Sequence, residues 1–152
     1  MTLKDLMTAP VTTCRATASL AEAARMMLDH NRGCLPIVDA KGHLAGVVTD
    51  RDVCLAIACH CSPASTLVRD VMTRDVVSCT EDDHLDTALV AMQQHRLRRI
   101  PVVNKRGTVK GLVSIDDAIR NTGLAEGRLT AEAIMGVLRH ICTPEYELQL
   151  AR

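Results

Sequence analysis

Two pairs of residues, Thr49 with Asp52 and Ser114 with Asp117, have the types and spacing to hold a nucleotide. The first pair lies in Gly46-Val47-Val48-Thr49-Asp50-Arg51-Asp52. The second lies in Gly111-Leu112-Val113-Ser114-Ile115-Asp116-Asp117, 65 positions later. Each stretch reads as a buried strand running into a helix, with the hydroxyl at the junction. The first turn of a helix carries unsatisfied N–H groups and the positive end of the dipole, which attract a phosphate. The hydroxyl adds one more donor. Almost one turn later, the carboxylate can accept hydrogen bonds from two neighbouring ribose hydroxyls. The structural alternative is an acid that only complements the helix dipole, worth about 0.3–1 kcal/mol. The recurrence of hydroxyl and acid at one spacing favours the ligand role.

The elements that position these pairs belong to a longer repeat that needs no gap. Leu3-Lys4-Asp5-Leu6-Met7-Thr8 matches Val68-Arg69-Asp70-Val71-Met72-Thr73, and Val11-Thr12-Thr13-Cys14 matches Val76-Val77-Ser78-Cys79. Leu35-Pro36-Ile37-Val38 matches Ile100-Pro101-Val102-Val103, Gly42 matches Gly107, and His30 matches His95. In the first copy, Val11–Cys14 is a strand candidate, and Ser19-Leu20-Ala21-Glu22 has capping-box spacing. Leu20, Ala23, Ala24, Met27 and Leu28 follow one helix face, which ends at Asn31 and Gly33. Leu35–Val38 and Leu44–Thr49 are strands around a turn at Ala40-Lys41-Gly42, and a second helix runs from Asp50 to about Ala58. Leu85, Ala88, Leu89 and Met92 form the matching stripe of the second copy.

The fold class is therefore α+β: two β-α-β-β-α units packed as a pseudo-two-fold pair, followed by a C-terminal helical segment. The expected domains are 1–61, 66–121 and 122–152. A unit of about 55 residues is marginal alone, so the copies are expected to fold against each other. Thr130 is placed to cap a further helix with the stripe Ile134, Val137, Leu138 and Ile141, and Pro144 can open a last short helix through Leu150. Val53-Cys54-Leu55-Ala56-Ile57-Ala58-Cys59 is apolar on every face. Such a helix is either buried wholly within its chain or contacts a second subunit, and the second reading points to a homodimer.

Composition excludes several classes of function. Eighteen basic residues balance eighteen acidic ones, and Tyr146 is the single aromatic residue. A nucleic-acid binder would show a basic surplus and stacking aromatics, so no nucleic-acid partner is expected. No apolar run approaches the roughly 18 residues of a membrane span. The start lacks the apolar centre of a signal peptide, which points to the cytoplasm. The seven cysteines are then expected mainly as small core hydrophobes. Cys59-His60-Cys61 offers soft and imidazole ligands, but four must converge and paired Cys-x-x-Cys knuckles are absent, so no metal site is assigned. Ser114 has Asp117 but no positioned His, which does not support hydrolysis.

The chain resembles a tandem pair of CBS domains (the cystathionine β-synthase type), also called a Bateman module. The resemblance rests on the Asp-x-Met-Thr starts at Asp5 and Asp70, the Pro strands at Pro36 and Pro101, and the two Gly-x-x-Thr/Ser-x-x-Asp ends. It covers residues 1–121 and leaves no room for an enzyme domain, like the stand-alone bacterial CBS pairs. The hypoxic-response type among them has a tail run similar to Ile141-Cys142-Thr143-Pro144. The resemblance implies a non-catalytic regulatory module with no required cofactor. AMP, ADP, ATP or S-adenosylmethionine would bind in clefts between the repeats and signal to an unidentified partner by reorientation. It implies that Thr49 and Ser114 meet phosphate and that Asp52 and Asp117 meet ribose. The backbone beside Thr12, Val77, Leu35-Pro36 and Ile100-Pro101 would hold adenine. Arg98 and Arg99 in the second copy can reach a phosphate, where the first copy offers Arg32 and Cys34. If one cleft alone is used, these arginines favour the second. The rival readings are a ligand-free interaction dimer and a redox- or metal-responsive protein acting through Cys59-His60-Cys61.

Overall fold

The computed structural model describes residues 2–59, 61–121 and 130–143. Its elements run α1 (Leu3–Leu6), β1 (Cys14–Arg15), α2 (Leu20–Asp29), β2 (Cys34–Val38), β3 (Leu44–Thr49) and α3 (Asp50–Ala58). After a 3-10 turn at Val68–Asp70 come β4 (Cys79–Thr80), α4 (Leu85–His95), β5 (Arg99–Val103), β6 (Val109–Ser114), α5 (Ile115–Arg120) and α6 (Ala131–Cys142). The architecture is α+β, with two three-stranded sheets ordered β1-β2-β3 and β4-β5-β6. In the first sheet β1 runs parallel to β2, and β2 pairs antiparallel with β3.

Local chemistry explains most of these boundaries. The Ser19 hydroxyl accepts from the Glu22 N–H, while Glu22 accepts from the Ser19 N–H at 2.7 Å, which closes the capping box of α2. The Ser19 N–H and then its hydroxyl, both donating to the carboxylate, hold Glu22 below its ordinary pKa. Asn31 ends the helix region in the left-handed conformation at φ +52°. Between β2 and β3, Asp39 Oδ1 accepts from the Lys41 and His43 N–H groups, and Gly42 takes φ +81°. Thr130 accepts from the Ala133 N–H and caps α6.

One expected element is shorter than the pattern implied. Val11–Thr13 lie outside the sheet, because the parallel ladder is limited to Cys14 opposite Ile37 and Arg15 opposite Val38. The matching strand of the second copy is likewise two residues long. The expected last helix from Pro144 to Leu150, with Gly123, Gly127 and Tyr146, lies outside the described residues.

The chain forms two compact units. One contains residues 1–9, 77–102 and 111–152, and the other contains 10–76 and 103–110. The core of the first comprises Leu85, Ala88, Leu89 and Met92 of α4 with Ile100, Val102 and Val113 of the sheet, joined by Leu3 and Leu6 of α1 and by Ile134 and Val137 of α6. The apolar face of α6 thus finds its partners on α4 and α5 of its own chain. The core of the second unit comprises Leu20, Ala23 and Met27 of α2 with Leu35, Ile37 and Val48, joined by Val53, Ala56, Val68 and Met72.

The Asp-x-Met-Thr starts are exchanged between the repeats. Thr8 bridges Leu112 of the second repeat, and Thr73 bridges Val47 of the first. The two glycines of the repeated motif make these approaches possible. A Cβ on Gly46 would stand 2.8 Å from Met72 Sδ and 2.9 Å from the Thr73 carbonyl oxygen. One on Gly111 would meet Met7 Cγ at 2.7 Å and the Thr8 carbonyl at 3.0 Å.

Burial divides the cysteines. Cys14, Cys34 and Cys79 are buried, whereas Cys54, Cys59 and Cys142 are exposed, so the core-hydrophobe expectation is corrected for the last three. Burial raises the Cys14 and Cys79 thiols above their ordinary pKa. The apolar stretch Val53–Cys59, mostly within α3, buries Val53 and Ala56 but leaves Leu55 at 54% and Ile57 at 50% exposure, so the described residues do not cover it.

Candidate functional site

Thr49 and Ser114 are the N-caps of α3 and α5, at the point where each β-rich strand hands over to a helix. In both, the hydroxyl oxygen accepts the N–H of the acid three residues on, at 3.2 Å for Asp52 and 3.3 Å for Asp117. The acid reaches back. Asp52 Oδ2 accepts from the Thr49 N–H at 2.8 Å and from its hydroxyl at 2.7 Å. Asp117 Oδ2 accepts from the Ser114 N–H at 2.8 Å and from its hydroxyl at 2.6 Å. Both pairs are therefore capping boxes with the acid at the third helical position.

The two acids differ in what remains. Among the described residues no donor reaches Asp52 Oδ1, and Asp52 is half-buried. Asp117 is 4% exposed, and its Oδ1 accepts from Arg120 Nη2 in an i,i+3 ion pair. The Asn121 side chain adds a bond to the Asp117 carbonyl at 2.7 Å. Arg120 was not singled out from the sequence. The signal that finds it is the Asp-x-x-Arg spacing on one helix face, with Leu55 in its place 65 positions earlier.

Each half of the expected site collects within one unit. Thr12, Leu35, Pro36, Thr49 and Asp52 fall in the unit built on 10–76, and Val77, Arg98, Arg99, Ile100, Pro101, Ser114 and Asp117 in the other. Leu35, Pro36, Ile100 and Pro101 are buried, and Thr12 and Val77 are half-buried. Leu35 stands opposite Val48 and Cys34 opposite Thr49 in the β2–β3 register, which brings the Pro strand alongside the hydroxyl. Arg98 and Arg99 are exposed. The Arg98 guanidinium lies 3.5 Å from Cys142 Sγ of α6, and its carbonyl accepts the first N–H of α5. An open cavity of about 240 Å³ in the 10–76 unit is lined by Pro10, Val11, Thr13, Val38, Gly42, Thr108, Val109 and Lys110. It flanks Thr12 but does not include Thr49 or Asp52.

His30 caps the C-terminal end of α2 and His95 is the last residue of α4. Among the described residues no three His, Cys, Asp or Glu side chains are grouped as metal ligands would be. His60, the middle residue of Cys59-His60-Cys61, lies outside them. Among the described residues no helix is long and apolar enough to cross a membrane.

The duplicated unit with a capped acid at each strand-to-helix junction agrees with what comparison with known proteins finds. Residues 3–59 and 68–122 each match the CBS domain. The chain belongs to the CBS domain family. This CBS pair is 42% identical over 116 residues to the protein YlbB of Bacillus subtilis, covering 76% of this chain and 78% of that protein. It spans only 22–24% of the length of relatives that carry enzyme names. Its fold is similar to the CBS domain pair of protein MJ0100 in complex with 5′-methylthioadenosine and S-adenosyl-L-methionine. There the TM-score is 0.73 at 32% identity, over 79% of this chain and 94% of that one. It is also similar to Hypoxic Response Protein I with two coordinated zinc ions, with a TM-score of 0.73 at 28% identity over 79% and 98% of the two chains.

Proposed function

We propose that this CBS pair is a non-catalytic regulatory module that binds an adenosine compound (AMP, ADP, ATP or S-adenosylmethionine) at its strand-to-helix junctions and acts in the cytoplasm as a homodimer. Its repeats are taken as 1–61 and 66–121, with a helical extension at 122–152. The observation that carries the reading is the half-used carboxylate of Asp52. Oδ2 is held by Thr49, which fixes the group, while Oδ1 keeps its lone pairs for a ribose diol. The first-turn N–H groups of α3 already donate to the Gly33 carbonyl, Asp50 Oδ1 and the Thr49 hydroxyl, so a phosphate there would have to displace one of these acceptors. The MJ0100 pair, which binds adenosine compounds, is similar enough in sequence and fold to support the ligand class. Occupancy then shifts the balance between arrangements that a partner protein reads, which requires different affinity for each. A catalytic role has no support in the chemistry of the junctions, where each hydroxyl is bonded to an acid and, among the described residues, no His is bonded to it as base.

Calorimetry with AMP, ATP and S-adenosylmethionine tests this reading. The Asp52→Ala variant is expected to bind about 1.5–3 kcal/mol more weakly, since it removes charge-assisted hydrogen bonds. Unchanged affinity would take Asp52 out of the site.

A second reading is favoured by the exposed Leu55 and Ile57 of α3: an interaction dimer with no small-molecule ligand. Equilibrium sedimentation with a thermal-shift screen separates the two. Dimerisation with no shift from any adenosine compound selects the second.

A further inference from the structure

We infer that only the first repeat takes the ligand, and that Arg120 is the residue that closes the second. This deepens the adenosine-binding reading and rests on it. A carboxylate offers about four acceptor positions, and a ribose diol brings two O–H donors to it. Asp52 meets that demand, because both of its protein donors fall on Oδ2 and none of the described residues donates to Oδ1. Asp117 does not. Ser114 supplies two donors to Oδ2, Arg120 Nη2 occupies Oδ1, and the side chain is 5% exposed. A diol reaching Asp117 must displace a guanidinium and uncover a buried group. With both oxygens engaged, Asp117 serves the fold by closing the cap of α5 and fixing Arg120.

The position that decides this difference is one residue. Arg120 follows its acid by three residues on α5, and Leu55 follows Asp52 by three on α3. Leucine has no donor, so Oδ1 of Asp52 stays open. The arginines of the second repeat do not reverse the preference. Arg98 is directed to Cys142, and Arg120 is engaged with the very carboxylate the ribose needs.

Transplanting the arginine tests the inference. Titration calorimetry with 5′-methylthioadenosine and AMP is run on the full chain, with oligomeric state checked by sedimentation. The wild type is expected to bind one ligand per chain. Asp52→Ala is expected to weaken binding at least tenfold, and Asp52→Asn, which keeps an acceptor for the cap, serves if the alanine variant unfolds. Asp117→Ala should keep the affinity within twofold while its unfolding midpoint falls. Leu55→Arg should bind about two- to fivefold more weakly than Leu55→Gln, the range an exposed ion pair supplies. The glutamine variant controls for the lost apolar contact. Two equivalent ligands per wild-type chain, equal losses from Asp52→Ala and Asp117→Ala, or matching affinities of the two Leu55 variants would each overturn the role given to Arg120. No binding by the wild type would instead overturn the adenosine reading itself, and this inference with it.

Discussion

The first and second repeats carry the same strand-to-helix junction and surround it differently. In each, the first helical N–H bonds to a carbonyl just before the Pro strand: Asp50 to Gly33 at 3.2 Å, and Ile115 to Arg98 at 2.9 Å. The side chains then diverge. A Cβ on Gly33 would stand 2.7 Å from Asp50 Oδ2, so the first repeat combines an acid at the helix start with no side chain opposite. The second places Ile115 there, buried at 4%, and has room for Arg98. The helices differ in one respect: α4 and α5 pack against α6, although they still expose Val90 and Ile119, while α2 and α3 expose Leu28, Leu55 and Ile57. The repeated motif sets the backbone and the cap. Neighbours that are not repeated decide which carboxylate oxygen stays free and which face stays uncovered.

Substitutions at matched positions can break or sharpen this contrast. The largest effect is expected at Gly46 and Gly111. Alanine at either forces Met72 and Thr73, or Met7 and Thr8, to shift, which should cost about 1–3 kcal/mol in urea denaturation. Equal losses would make this contact common to both repeats, and a difference above about 1 kcal/mol would extend the asymmetry to it.

The caps come next. Ser114→Ala leaves a buried carboxylate short of a donor and should cost about 2 kcal/mol, against about 1 kcal/mol for Thr49→Ala at the half-buried site. The reverse order would contradict the closed environment assigned to Asp117.

The smallest effect concerns the matched thiols Cys14 and Cys79. A disulfide reagent should modify Cys54, Cys59 and Cys142 in the native protein well before these two. Their folded pKa values are raised by burial, so the neutral thiol is the form the fold favours. The associated stability is complete below the ordinary thiol pKa and is lost as pH rises through the raised value. Unfolding midpoints should therefore be flat between about pH 6 and 8 and decline above it. A decline that disappears in Cys14→Ala but persists in Cys79→Ala would separate the repeats here too.

Much of the fold is legible in the residues because it is written twice. The 65-residue offset, the Ser19–Glu22 box and the stripe at Leu85, Ala88, Leu89 and Met92 all report local or periodic constraints, and the structure agrees with each. The short β1 was not legible, since alternation marks an extended segment but not whether its N–H groups find a partner strand. Nor was the exposure of Cys54 and Cys59, because composition says nothing about which side of a helix its neighbours cover. At the candidate site, spacing identified the hydroxyl and the acid but not the state of each oxygen. That state depends on Arg120, whose effect appears only when the helix brings it back over Asp117.

The exchange of Asp-x-Met-Thr segments has a consequence for dissection. Scission in the Ser62–Ser65 linker would strand each glycine-strand wedge on the wrong fragment, leaving Gly46 without Met72 and Gly111 without Met7. Neither half would be a finished folding unit, and the two pieces would regain native stability only when mixed. Complementation of that kind would make the protein a reporter of its own integrity, with loss of either portion felt at once by the other.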